Sequence, residues 1–183
     1  MKKTLFILVL IALNSPVFAQ KYMSRNGRIS FFSEAPLENI EAHNNQGSGV
    51  FDMETGQVAF SVLMKGFTFE KALMQEHFNE NYVESDRYPK ATFKGAVKDF
   101  DPAALRSGNW EKVTVEGDMT IHGATKKIAV EGEIALRGEV LSIKSTFPIR
   151  LADYQIKIPK AVVNNIAEVV ETKVEFNMEP IVQ

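Results

Sequence analysis

Apolar and polar residues alternate with a period of two along most of this chain, most plainly between Val113 and Gly132. Val113, Val115, Met119 and Ile121 fall on one face, and Thr114, Glu116, Asp118, Thr120 and His122 on the other. That is the pattern of a strand with one buried and one solvated side. Gly123 interrupts it, and Ile128, Val130, Ile134 and Leu136 resume it, so two strands joined at a glycine turn are expected. Similar runs predict strands at 27–33, 37–42, 49–53, 57–65, 90–98, 111–121, 127–137, 140–150 and 172–178. Gly138-Glu139 reads as a second tight hairpin turn. The stretches 43–49 and 100–108 read as loops.

Two segments depart from the period of two. From 69 to 82, Phe69, Leu73, Phe78 and Tyr82, with Met74 beside them, recur at helical spacing. From 159 to 170, Val162, Val163, Ile166, Val169 and Val170 predict a second helix, with Pro159 suited to its first turn. The expected fold is all-β: an antiparallel eight-stranded β-barrel with one or two short helices. Closure removes the unpaired edges that so many strands would otherwise present. A sandwich is not excluded by alternation, although a lone Trp110 and the lack of cysteine omit its usual markers. Eight strands enclose an interior that side chains can fill or that one ligand can occupy, and the alternation does not choose between these.

The N-terminus changes the expected location. Met1-Lys2-Lys3 precedes nine apolar residues, Leu5 to Leu13, and a Val17-x-Ala19 ending. This is the layout of a cleavable signal peptide at 1–19, followed by a single domain at 20–183. Nine residues fall well short of the roughly 20 that span a bilayer, so no stable membrane anchor is expected. The reading is a periplasmic or secreted bacterial protein. Its net charge of −2, with acidic and basic residues interleaved, argues against nucleic acid as a partner. With no cysteine there is neither a disulfide framework nor a thiolate metal site.

Candidate chemistry is sparse. His43, His77 and His122 are far apart and lack a second ligand at metal-binding spacing. His122 suits a structural role at a turn. Ser48 sits in Gly47-Ser48-Gly49 without the surroundings of a catalytic serine. Asp99 with Asp101 and Glu131 with Glu133 read as solvated pairs. No catalytic residue, metal site or cofactor is expected, and the chain reads as a non-enzyme. Thirteen phenylalanines and seven methionines make apolar surface its main resource.

Gly117 to Lys126 reads G-D-M-T-I-H-G-A-T-K. Upstream, His77-Phe78, Tyr88-Pro89 and Ala91-Thr92-Phe93-Lys94-Gly95 follow in order, preceded by a strand at Gly56 to Lys65. This series resembles the YceI-like family of lipid- and polyisoprenoid-binding proteins, with its G-x-L-T-I-H-G-x-T-K and Y-P-x-A-T-F elements. The resemblance implies an extended barrel similar to a lipocalin, closed at one end and holding a long isoprenoid chain. Under it, Phe60, Val62, Met64, Phe93, Met119, Ile121, Phe147 and Phe176 become candidates for an apolar lumen. Leu73 and Phe78, with the loop 82–88, become a candidate lid. For each of these residues a packed core is the competing reading. The expected function is binding, solubilisation and transport of a long-chain isoprenoid or similar lipid. A packed envelope barrel acting through a protein partner, or a lipid-modifying enzyme with His77 as its titratable group, stays open, as does a homodimer.

Overall fold

A computed structural model describes residues 21–181. The expected signal peptide lies outside the described residues. The strands are β1 (Lys21–Glu34), β2 (Asn39–Asp52), β3 (Gln57–Leu63), β4 (Thr68–Phe69), β5 (Lys90–Val97), β6 (Glu111–Ile121), β7 (Ala124–Arg137), β8 (Val140–Arg150) and β9 (Val169–Pro180), with α1 (Ala72–His77) between β4 and β5. Pairing is antiparallel throughout and runs β1-β9-β8-β7-β6-β5-β3-β2, and β2 pairs back on β1. Eight strands therefore close a barrel, and the two residues of β4 add to β2 beyond the end of β3.

The β6–β7 hairpin shows how sequence sets this geometry. It pairs without a break from Glu111 with Ile134 to Ile121 with Ala124. Its turn residues, His122 and Gly123, have φ values of 49° and 73°. Positive φ at both central positions matches the twist of the flanking strands, and the glycine adopts it without strain. The β7–β8 turn likewise has Gly138 at φ 61°.

Three expectations are corrected. The expected loop at 43–49 belongs to β2, which runs unbroken through it. Its polar residues are absorbed by a bulge: the β1–β2 register shifts on both sides of Gly27. There the fully buried Asn44 donates from Nδ2 to the Leu63 carbonyl (2.9 Å) and accepts the Gln46 amide at Oδ1 (2.8 Å). A buried amide satisfied this way does not oppose a strand. The helix expected at 159–170 is reduced to one 3-10 turn, Lys160–Val162, and Val169 and Val170 open β9 opposite Arg150 and Ile149. β-branched side chains lose rotamer freedom in a helix and pack well across a ladder, so the sheet wins. The helix expected at 69–82 is shorter: Phe69 lies in β4, and α1 passes at His77 into a π turn, Phe78–Tyr82.

Apolar packing concentrates at the two ends of the barrel. One cluster includes Phe51, Leu105, Ile134, Leu141, Phe176 and Met178. The other includes Val62, Met64, Phe67, Val83, Ile121, Tyr154 and Ile156. Between them, Ile29, Val113, Val115, Ile143 and Val174 line the interior yet are only partly buried. In a close-packed core they would be covered. Their exposure marks a hollow.

Candidate functional site

The hollow is a cavity of about 390 Å³. That is within the range of small-molecule sites. Its floor is built of rings laid against the wall: Phe60 and Phe176 meet with centroids 4.8 Å apart. Phe176 fits because β1 has a glycine beneath it, and a Cβ on Gly27 would overlap the ring. The roof is a second aromatic group. Phe31 of β1, Phe67, Phe69 of β4 and Phe78 form five ring contacts with centroids 5.0–5.9 Å apart. The chain between β3 and β5 supplies three of these four rings, so this one insertion covers that end of the barrel.

Of the residues singled out from sequence, Phe60, Val62, Met64, Phe78, Phe93, Met119, Ile121, Phe147 and Phe176 all line the cavity. Leu73 does not: it is 60% exposed, and its neighbour Met74 lines the cavity instead. On so short a helix, adjacent residues point about 100° apart, and a spacing pattern of four residues cannot settle the rotation. Sequence reasoning passed over Val113 and Val115, although they share the face of Met119 and Ile121. The alternation itself could have found them. It also passed over Phe31, which shares the alternating face of Ile29, and Phe67, for which no local signal exists.

Polar side chains that line the cavity include Ser33, Glu38, His77, Tyr82, Thr172 and the pair Glu133 and Lys144. Ser33 Oγ accepts the Ala167 amide (2.9 Å), tying β1 to the segment before β9. Glu38 and His77 lie at the edge, and Lys71 Nζ donates to Glu38 Oε1 (2.7 Å), joining the start of α1 to the β1–β2 connection. That hydrogen bond holds the Glu38 carboxyl below the usual carboxylate range. Burial raises the Tyr82 and Tyr154 phenols above their ordinary value, with the Asp153 charge adding to the effect on Tyr154. The Thr172 hydroxyl is buried without a partner. Among the described residues no three His, Cys, Asp or Glu side chains gather as a metal site would require.

His122 bonds outside the lumen: Nε2 lies 2.7 Å from Glu84 Oε2 and Nδ1 lies 3.1 Å from the Tyr154 carbonyl. The ring also meets Tyr88 edge-on, centroids 4.7 Å apart. Thus the T-I-H-G and Y-P-x-A-T-F elements, distant in sequence, touch in the fold. Their role there is to hold the roof insertion against the β6–β7 turn.

The wall opens along a seam between β7 and β8. β7 and β8 pair from Arg137–Val140 to Gly132–Ser145 and no further. β7 nevertheless continues on β6 as far as Ala124, and β8 on β9 as far as Arg150. Leu151 and Ile156, from the segment after β8, line the cavity at the upper end of this seam. Beside it, Lys144 Nζ bonds Glu133 (2.9 Å) and lies 4.3 Å over the Trp110 ring.

The family model of the YceI-like domain matches residues 22–179. Among solved structures, the chain is similar to a polyisoprenoid binding domain from Saccharophagus degradans implicated in plant cell wall breakdown: TM-score 0.75, 16% identity, covering 89% of this chain and 99% of that one. It is also similar to Burkholderia cenocepacia BcnA, with TM-score 0.69, 19% identity and coverage of 83% and 95%. For the Campylobacter jejuni YCEI protein the values are 0.64, 15%, and 81% and 90%. No curated protein matches the chain by sequence. The match over 22–179, on a chain that closes as an eight-stranded barrel, places this protein in the YceI-like domain family.

Proposed function

We propose that this protein binds a long apolar lipid, a polyisoprenoid or an isoprenoid quinone, inside the barrel. It carries that lipid unchanged through the aqueous envelope space to which its N-terminal leader directs it. The observation that carries this reading is the apolar cavity of about 390 Å³ between two aromatic clusters. The polyisoprenoid binding named for the Saccharophagus degradans domain supports it.

The energetics are adequate without a dedicated head-group site. Burial contributes about 0.8 kcal/mol per carbon, so each five-carbon unit adds roughly 4 kcal/mol. Four such units, roughly 16 kcal/mol, exceed an association cost of about 4–15 kcal/mol. With the tail supplying most of the affinity, selectivity among head groups is modest.

The test is mass spectrometry of an organic extract from protein purified after export without strong detergent, beside a heat-unfolded control. About one isoprenoid or quinone per chain supports the reading. A clean extract from a folded barrel would favour action through a protein partner, and chemical change in an added lipid would favour an enzyme.

A further inference from the structure

We propose that Thr172 is a ligand-binding residue: inside the lumen, beneath the aromatic roof, its hydroxyl donates a hydrogen bond to an oxygen of an uncharged lipid head group such as a quinone carbonyl. Thr172 lies on the inward face of β9, where Val170, Val174, Phe176 and Met178 alternate with Glu171, Lys173, Glu175 and Asn177. It lines the cavity and is only 6% exposed. Its Oγ1 is buried and has no hydrogen-bond partner in the protein. Nearly all buried polar groups are paired, and one left unpaired costs stability. Valine has nearly the same shape, would continue the apolar face and would carry no such cost. The hydroxyl therefore contributes nothing to the barrel by itself, and what it can serve is an acceptor that arrives with the ligand.

Across the ladders Thr172 faces Phe31 of β1 and Phe147 of β8. Side chains directly opposite on one face of antiparallel strands are about 5 Å apart at Cβ, so Phe31, a ring of the roof, stands next to the hydroxyl. Two residues on along β1, Ser33 also lines the cavity, and its Oγ accepts the Ala167 amide, a bond that does not use its own hydrogen. These hydroxyls stand at the roofed end, whereas the floor is made by the rings of Phe60 and Phe176. That difference orients the ligand, with its head under the roof and its tail in the rest of the lumen. Charge selects among heads. Of the residues lining the cavity, only Lys144 and His77 can carry positive charge. Lys144 Nζ bonds Glu133 at the seam, and His77 is exposed at the edge where Glu38 also lies. The inward neighbours of Thr172 along and across the strands are Phe31, Phe147, Val170 and Val174, none of them cationic. A phosphate or carboxylate held there would be a buried anion without a partner, which costs far more than one hydrogen bond returns. A carbonyl needs only a donor, which the hydroxyl is.

The proposal rests on the lipid-binding reading and deepens it. Its test is equilibrium binding to the mature protein, stripped of lipid on a hydrophobic resin, of three radiolabelled probes: a menaquinone with a geranylgeranyl tail, geranylgeranyl diphosphate, and squalene, a hydrocarbon without oxygen. The wild type is expected to bind the quinone more tightly than the diphosphate. T172V is expected to bind the quinone about tenfold more weakly, to bind squalene as the wild type does, and to unfold at no lower urea concentration. T172S, which keeps the hydroxyl, should retain the quinone affinity. Circular dichroism checks that each variant is folded. Infrared spectroscopy of an isotope-labelled quinone carbonyl reads the bond directly: the stretch should fall in frequency on the wild type and T172S, and not on T172V. Equal quinone affinity in wild type and T172V, an equal loss for squalene, lowered stability of ligand-free T172V, or diphosphate bound as tightly as the quinone would overturn the proposal. If quinone and squalene bind the wild type and T172V alike, the role of Thr172 fails and the lipid-binding reading stands. If neither binds the wild type, that reading fails and this proposal with it.

Discussion

His122 Nε2 lies 2.7 Å from Glu84 Oε2 while its Nδ1 lies 3.1 Å from the Tyr154 carbonyl, so one side chain joins three separate segments of the roofed end. The imidazole is largely buried, with side-chain exposure of 12%. H122A removes both bonds and leaves the Tyr154 carbonyl without this partner, and is expected to cost about 1–3 kcal/mol. E84Q should cost less, because the Nδ1 bond survives. Urea unfolding monitored by circular dichroism measures both, and equal losses in the two variants would show that the Tyr154 bond contributes nothing.

Phe78 touches Phe31, Phe67 and Phe69, with centroids 5.6, 5.7 and 5.0 Å away. An aspartate there places a carboxylate against three rings, which costs several kcal/mol unless the segment swings outward. F78D is therefore expected to keep the barrel and lose lipid. Unchanged lipid content in a folded F78D protein would refute a lid role for this segment.

Gly27 is the seat of the Phe176 ring. G27A forces Phe176 toward the lumen and should destabilise by about 1–3 kcal/mol, the usual cost of overpacking. Because Phe176 forms the cavity floor, the longest bound chains should be lost before shorter ones. Chain-length distributions from extracts of wild type and G27A check this.

The Glu38–Lys71 bond predicts a direction with pH. Glu38 is held below the ordinary carboxylate range by Lys71, so its contribution is present above the unfolded carboxyl value and is lost as pH falls through the lowered folded value. Acid should thus release the start of α1 while leaving the sheet intact. Amide exchange at residues 72–77, read from mildly acidic conditions downward, should accelerate before exchange in β6 and β7, and K71A should show the faster rate already at neutral pH.

Local chemistry explains which elements could be read without coordinates. The β6–β7 hairpin alternates over its whole length and turns at His122-Gly123, so neighbouring residues alone specify its faces and its turn. The same holds for Val62, Phe93 and Phe147, whose inward direction follows from parity along a strand. Residues 43–49 could not be read this way. Asn44 is tolerated inside because the Leu63 carbonyl, nineteen positions away, accepts its amide. Nor could the 159–170 segment, where Ile149 of another strand recruits Val170 into β9.

Alternation and glycine φ depend on a residue and its immediate neighbours, so most of the strands, their inward faces, the two tight turns and the family elements are legible along the chain. That the lumen is hollow, that Met74 rather than Leu73 lines it, and that β7 and β8 part at Gly132 follows from packing between distant segments. Those features arise from closure. Which rings fill the space between walls, and which side chains are left outside, depends on distances between segments far apart along the chain, and no local period records those distances.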